Sequence, residues 1–316
     1  MGLFNGYLKE GPGIDKNAPK KKGVFLYIDI VFRKFFDLIS SGFVCFVASL
    51  PFLLFAYVIL STMVMNGLGL STAIEETAKS TAAEGASAEE LAQMLSFSIR
   101  AIITVLLYNI MGSGPVSASY AYITRCFTRG EHVWKMSDGW DKFKENFKHT
   151  ILLFIVDTVI IALSSNAVGF YSALAAKSTG SAAAMLMAAK YFTMVIMFLY
   201  LIMHIYVYQI AVTYECKFTD LLKSSITIAI AKLPMSFLLI VITSAAIVFG
   251  LGSGINPMVG IVLYAVIGHI FLRYPLEFYA ARVIEKNIRE VRKQEKKREA
   301  KITYLDAQES EQESRL

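Results

Sequence analysis

The sequence predicts an all-α, polytopic membrane helix bundle. It would have six transmembrane helices, both termini cytoplasmic and interfacial helices on the cytoplasmic side. Three observations predict it. Of the 316 residues, 55% are hydrophobic and only 18% charged, where a soluble domain carries about 25% charged residues. Six stretches are apolar over the roughly 20 residues that a helix needs to cross a hydrocarbon core of about 30 Å: about 39–65, 97–124, 151–176, 182–212, 235–252 and 257–274. Lys and Arg fall almost wholly in alternate connections. In lipid each span must satisfy its own backbone hydrogen bonds, which selects helix, and none alternates as a barrel strand would.

The elements follow in order. Residues 1–23 form a Gly-, Pro- and Lys-rich flexible basic arm without the short apolar run of a signal peptide. Residues 24–281 form the membrane domain and 282–316 a charged cytoplasmic helical tail. "VFLYIDIVFRKFF" (24–36) sets Asp29, Arg33 and Lys34 into an apolar run, as suits an interfacial helix before the first span. The outer connection 66–96 is acidic. Its Thr72-x-x-Glu75 and Ser87-x-x-Glu90 read as capping boxes, hence a short helix and then one running into the second span. It is either a solvated loop or a docking surface. In the second span Gly112-Ser113-Gly114-Pro115 should kink or split the helix, since Pro115 has no N–H to bond Met111. Past Arg125 and Arg129, the residues Trp140, Phe143 and Phe147 recur on one helical face with Lys144 and Lys148 mostly off it. This predicts a second interfacial helix that meets lipid or a partner. A weaker echo lies at 218–228, and 250–254 reads as the tight turn between spans five and six.

Orientation follows from charge. The arm up to Lys34 holds seven basic residues, the second loop six, the fourth loop three and the C-terminal part from Arg273 to Arg315 eleven, 27 of all 31. Cytoplasmic segments carry such an excess, so both termini are placed inside. In the tail, opposite charges four residues apart, such as Glu285 and Arg289, support a helix continuing the last span.

Ionisable groups within spans are costly and mark function by default. Asp157, His204 and His269 lie at similar depth in the cytoplasmic half, with Arg273 and Glu277 nearer the surface. Together they form a candidate polar cluster, read either as a proton or solute site or as hydrogen-bonded glue between helices. Asn109, Ser113, Ser164, Ser165 and Asn166 read as packing residues.

Cys45, Cys126 and Cys216 are isolated, which supports neither disulfides nor a metal site. There is no phosphate loop or HExxH motif. Asp157 is the single mid-span carboxylate, which leaves no aspartyl dyad, and neither Ser113 nor Ser253 completes a GxSG element. No catalytic, cofactor-binding or metal-binding residue is expected, and no nucleic-acid partner.

The run "GPVSASYAYITRCFTRGEHVWKMSDGWDKFKENFKHT" (114–150) resembles the YesL-like family of bacterial integral membrane proteins of unassigned function. The resemblance rests on Gly114, Pro115 and Ala118, then Arg129-Gly130-Glu131, Ser137-Asp138 and Phe143-Lys144-Glu145-Asn146-Phe147-Lys148. The opening Met1-Gly2-Leu3-Phe4 and Ser49-Leu50-Pro51 are also similar. It implies a gram-positive plasma membrane bundle often encoded near carbohydrate uptake systems. The expectation is therefore a non-enzymatic accessory or scaffold for ABC-type sugar uptake or its regulation. Its partners would be membrane lipids and ABC transporter subunits or another membrane protein. A small-solute transporter using Asp157, His204 and His269, and a lipid-binding structural protein, are the alternatives. Asp138-Gly139 and Leu233-Pro234 lie in separate loops, so the permease coupling motif is not formed.

Overall fold

The computed structural model describes residues 23–81, 87–253 and 256–290. The parts of the expected arm and tail at 1–22 and 291–316, and the loop tip at 82–86, lie outside them. Among the described residues there is no strand, and six helices are long and apolar enough to cross a membrane.

Two helices precede the first of these. Helix α1 (Gly23–Arg33) turns Ile30 and Val31 inward and leaves Val24, Phe25 and Phe32 exposed. Helix α2 (Phe35–Ala48) packs on the last helix so closely that a Cβ on Gly42 would lie 2.6 Å from the His269 Cβ. The expected first span, 39–65, is therefore divided. Its membrane-length part is α3 (Leu50–Gly67), which starts where Pro51 removes a backbone donor. At its far end, Gly67 lies against Ser165 and Gly169, where any side chain would collide with backbone. Small residues thus let two helices touch.

Helix α4 (Leu70–Thr81) buries Ile74 and Ala78 and exposes its acidic face. Of the two expected capping boxes one forms: the Ser87 hydroxyl accepts from the Glu90 N–H and starts α5 (Ala88–Met111). Thr72 instead lies inside α4 and donates to the Gly69 carbonyl.

The second span ends at Met111, thirteen residues short of expectation. Gly112 and Gly114 take positive φ (78° and 64°), and Pro115 begins a separate helix, α6 (Pro115–Arg129). Nearly all of α6 is buried, so it is a core element and not the end of a span. Its end is a Schellman cap: Gly130 is left-handed, its N–H reaches the Phe127 carbonyl, and the Glu131 N–H reaches the Cys126 carbonyl. That is the physical use of the Arg-Gly-Glu run.

Helix α7 (Ser137–Lys177) is one continuous helix of 41 residues, about 60 Å long. This corrects the reading of 137–148 as a separate interfacial helix. No Gly or Pro interrupts the chain between Trp140 and the span, so the aromatic stretch forms the first turns of the spanning helix. Helix α8 (Gly180–Ala211) returns beside it. Its first half is largely exposed and apolar, whereas 202–210 is buried throughout. Helix α9 (Phe218–Ala231) then leads to α10 (Leu233–Gly252) and α11 (Pro257–Glu290).

The basic segments meet at one end of the bundle. Lys135 pairs with Asp37 at 3.0 Å. Arg125 donates to the Val212 carbonyl and the Thr213 hydroxyl, both at 2.7 Å. The Tyr27 hydroxyl donates to the Ile270 carbonyl at 3.0 Å.

Candidate functional site

Helix α11 adopts wide, π-helical turns over Tyr264–Arg273. Such turns place side chains off the ordinary helical register and recur at functional sites. Two of the predicted polar residues, His269 and Arg273, sit in this segment. The five predicted residues Asp157, His204, His269, Arg273 and Glu277 are all buried, but they fall into three environments.

The first is a pair. His204 Nε2 lies 2.9 Å from Asp157 Oδ1, and the Tyr200 hydroxyl donates to the same oxygen at 2.5 Å. His204 Nδ1 lies 3.1 Å from the Tyr200 carbonyl. A carbonyl only accepts, so Nδ1 carries a hydrogen.

The second centres on Arg273. Its guanidinium donates to the Tyr108 carbonyl at 3.0 Å and the Ser117 hydroxyl at 2.8 Å. It also lies over the rings of Tyr108 and Tyr120, 4.8 and 5.4 Å from their centroids. Glu277 is 4.0 Å from its Nε and accepts from Gln209 at 2.7 Å. Arg273 thereby closes the break between α5 and α6. Tyr108 supplies a carbonyl from the last turn of α5 and Ser117 a hydroxyl from the first turn of α6. A Cβ on Gly112 would lie 2.9 Å from the guanidinium and closer still to Ser117.

The third environment is an aromatic box. The His269 ring stacks on Tyr108 at 5.6 Å and meets Phe46, Tyr120 and Tyr264 edge-on. Neither of its nitrogens has a hydrogen-bond partner among the described residues. The structure thus joins Asp157 to His204 and Arg273 to Glu277. His269 bonds to neither pair.

Between the first two environments lies a cavity of about 20 Å³, lined by Asp157, Gly112, Ser113 and Tyr108 together with apolar side chains of α3, α5 and α7. Ser113, read from sequence as a packing residue, hydrogen-bonds the Ser49 hydroxyl at 2.7 Å. The buried Tyr208 hydroxyl feels the charges of Asp157, Arg273 and Glu277.

The second candidate group is the start of α7. Trp140 stacks on Phe143 at 5.1 Å, and Phe143 meets Phe147 at 5.4 Å. Phe143 packs beside Cys45, Val116 and Tyr120, while Trp140 is 56% exposed. Lys144 lies over the Trp140 ring, Lys148 is exposed, and Arg129 pairs with Glu131 at 3.7 Å. Gly114 packs on Thr150 and Phe154 of α7, and Pro115 beside it is buried as the first residue of α6.

Sequence reasoning passed over Tyr200, Tyr108, Ser117 and Gln209. A signal existed for two of them. Tyr200 stands one turn before His204 on the same face, and Gln209 is a polar residue inside an apolar span. Among the described residues no three His, Cys, Asp or Glu side chains converge to hold a metal ion. No family model, curated protein or solved structure matches the chain.

Proposed function

We propose that this is a multi-pass protein of the bacterial plasma membrane, with both termini cytoplasmic, that acts by contact rather than by catalysis. Its role would be that of an accessory or scaffold for a carbohydrate transport complex. The carbohydrate association rests on the resemblance carried by 114–150. Placement of the termini on one side is supported by α1 lying along the C-terminal half of α11, with Tyr27 against Phe278 and Gly23 and Val24 in one groove with Arg282 and Lys286. The exposed apolar face of α1 supports its lying in the interface there.

One observation carries the contact reading. At the start of α7, Trp134, Met136 and Trp140 are 69%, 69% and 56% exposed beside basic residues, whereas the cavity at Asp157 is too small for any sugar. Exposed aromatics with flanking cations are the usual anchors of a protein contact. The test is a photo-cross-linker at Trp140 in the native membrane. The expected product joins this chain to a transporter subunit, and recovery of no protein adduct sinks the reading.

A second reading, small-solute transport, is favoured by the helix break at 112–114, because irregular backbone at membrane depth is tolerated only in protein or beside a polar cavity. Solute movement by the purified chain in proteoliposomes, lost in Asp157→Asn, would put it first. The third, lipid binding, is favoured by the groove where Lys232, Arg282, Lys286 and Arg289 surround Met235, Leu239 and Phe278. It predicts dependence on anionic lipid without either other result.

A further inference from the structure

We propose that the α5–α6 break and the Asp157–His204 pair together form a binding site for one water molecule, which carries a proton to and from the pair. The hydrogen bonds require a single proton between the two residues. With Nδ1 committed to the Tyr200 carbonyl, Nε2 either donates to Asp157 Oδ1 or accepts from a protonated carboxyl. Both arrangements hold one proton there, and both are neutral as a pair.

The hydrogen bonds from Tyr200 and His204 both fall on Asp157 Oδ1, and Asp157 lines the cavity. The volume of about 20 Å³ suits one water and nothing larger. The water would have the partners it needs: Asp157 Oδ2, the Ser113 hydroxyl and the Gly112 backbone, all from residues that line the cavity. A metal cation fits poorly, because it wants about six oxygen ligands and Arg273 lies within 3 Å of the Gly112 Cβ position.

The water would join two networks that otherwise share no bond. Ser113 reaches Ser49 at 2.7 Å and Ser117 at 3.4 Å, and Ser117 accepts from Arg273. Of the titratable groups around the pair, Tyr200 of α8 bonds Asp157, Tyr208 of α8 interacts electrostatically with Asp157, and Tyr108 of α5 lines the same cavity; the charged Arg273 and Glu277 of α11 act on Tyr208. The α3 wall offers only Phe52, Leu53, Ala56 and Leu60. In the loading step a hydronium gives its proton to the Asp157 carboxylate and remains as water. The proton settles between Asp157 and Nε2, and the pair goes from one negative charge to neutral. Release is the reverse.

The test is infrared difference spectroscopy of the full chain in lipid vesicles, titrated between about pH 4 and 9. Coupled carboxyl and imidazole bands should titrate together with one midpoint in the wild type. They should vanish in Asp157→Asn, and Ser113→Ala should move the midpoint by about one pH unit, a tenfold change in proton affinity. Identical titration in wild type and Asp157→Asn overturns the site, and an unmoved midpoint in Ser113→Ala overturns the water link. If Asp157→Asn fails to fold, Tyr200→Phe takes its place: it removes one donor to Asp157 Oδ1, so a shifted coupled midpoint is expected, and an unchanged one overturns the site. The cross-linking at Trp140 reads a different surface, so either proposal can fail alone.

Discussion

His204 and His269 are equally buried in one bundle, yet they do opposite things. His204 has both nitrogens engaged, one on a carbonyl and one on a carboxylate. His269 has neither engaged and behaves as a flat ring among four aromatic rings. The difference lies in the partner helix. Helix α8 faces α7, which presents Asp157. At His269, α11 faces α2 across Gly42, where no side chain intervenes. An imidazole buried with a carboxylate is a proton site, and one buried without it is a packing piece.

Four experiments would break or sharpen that comparison. The largest effect is expected from Arg273→Ala, which strands Glu277 and removes the clasp on the α5–α6 break. Losing one partner of a buried pair costs about 3–5 kcal/mol, and unfolding in mixed micelles should read it. Asp157→Ala should cost about 1–3 kcal/mol, since His204 and the Tyr200 hydroxyl lose their acceptor. His269→Phe should cost less than about 1.5 kcal/mol, because a ring of similar volume replaces one that makes no hydrogen bond. A penalty as large as that of Asp157→Ala would show a hidden polar role for His269.

The smallest effect lies at the basic end. The Lys135 ammonium beside Asp37 holds its carboxyl below the ordinary carboxylate range. A lowered folded value adds stability that is full above the unfolded value of about 3.9 and is lost as pH falls through the folded one. With Asp37 39% exposed, solvent screening limits the gain to about 0.2–1 kcal/mol. Melting temperature followed down to about pH 3 should fall less steeply in Lys135→Ala than in the wild type.

How much of this was legible in sequence differs by element. The six apolar stretches correspond to the six long helices, because length and hydropathy suffice to mark a helix that can lie in lipid. The break at Gly112-Ser113-Gly114-Pro115 was legible from the missing proline donor. That the chain beyond it becomes a buried core helix was not legible, because burial depends on what surrounds α6. The aromatic spacing at Trp140, Phe143 and Phe147 gave one helical face, and the one local sign that it begins a longer helix was the lack of Gly or Pro between Trp140 and the span.

The sequence by itself determined the helical class, six stretches long and apolar enough to span, and the separation of basic from acidic connections. These follow from local composition and a fixed rise per residue. The tertiary structure decided which groups meet. Depth leaves the rotation of each helix free, and rotation is set by packing against neighbours: Gly67 on Ser165, Gly42 on His269, Arg273 across the α5–α6 break. Three residues expected from sequence at one depth thus became one bonded pair and one aromatic box, a distinction that exists only between helices.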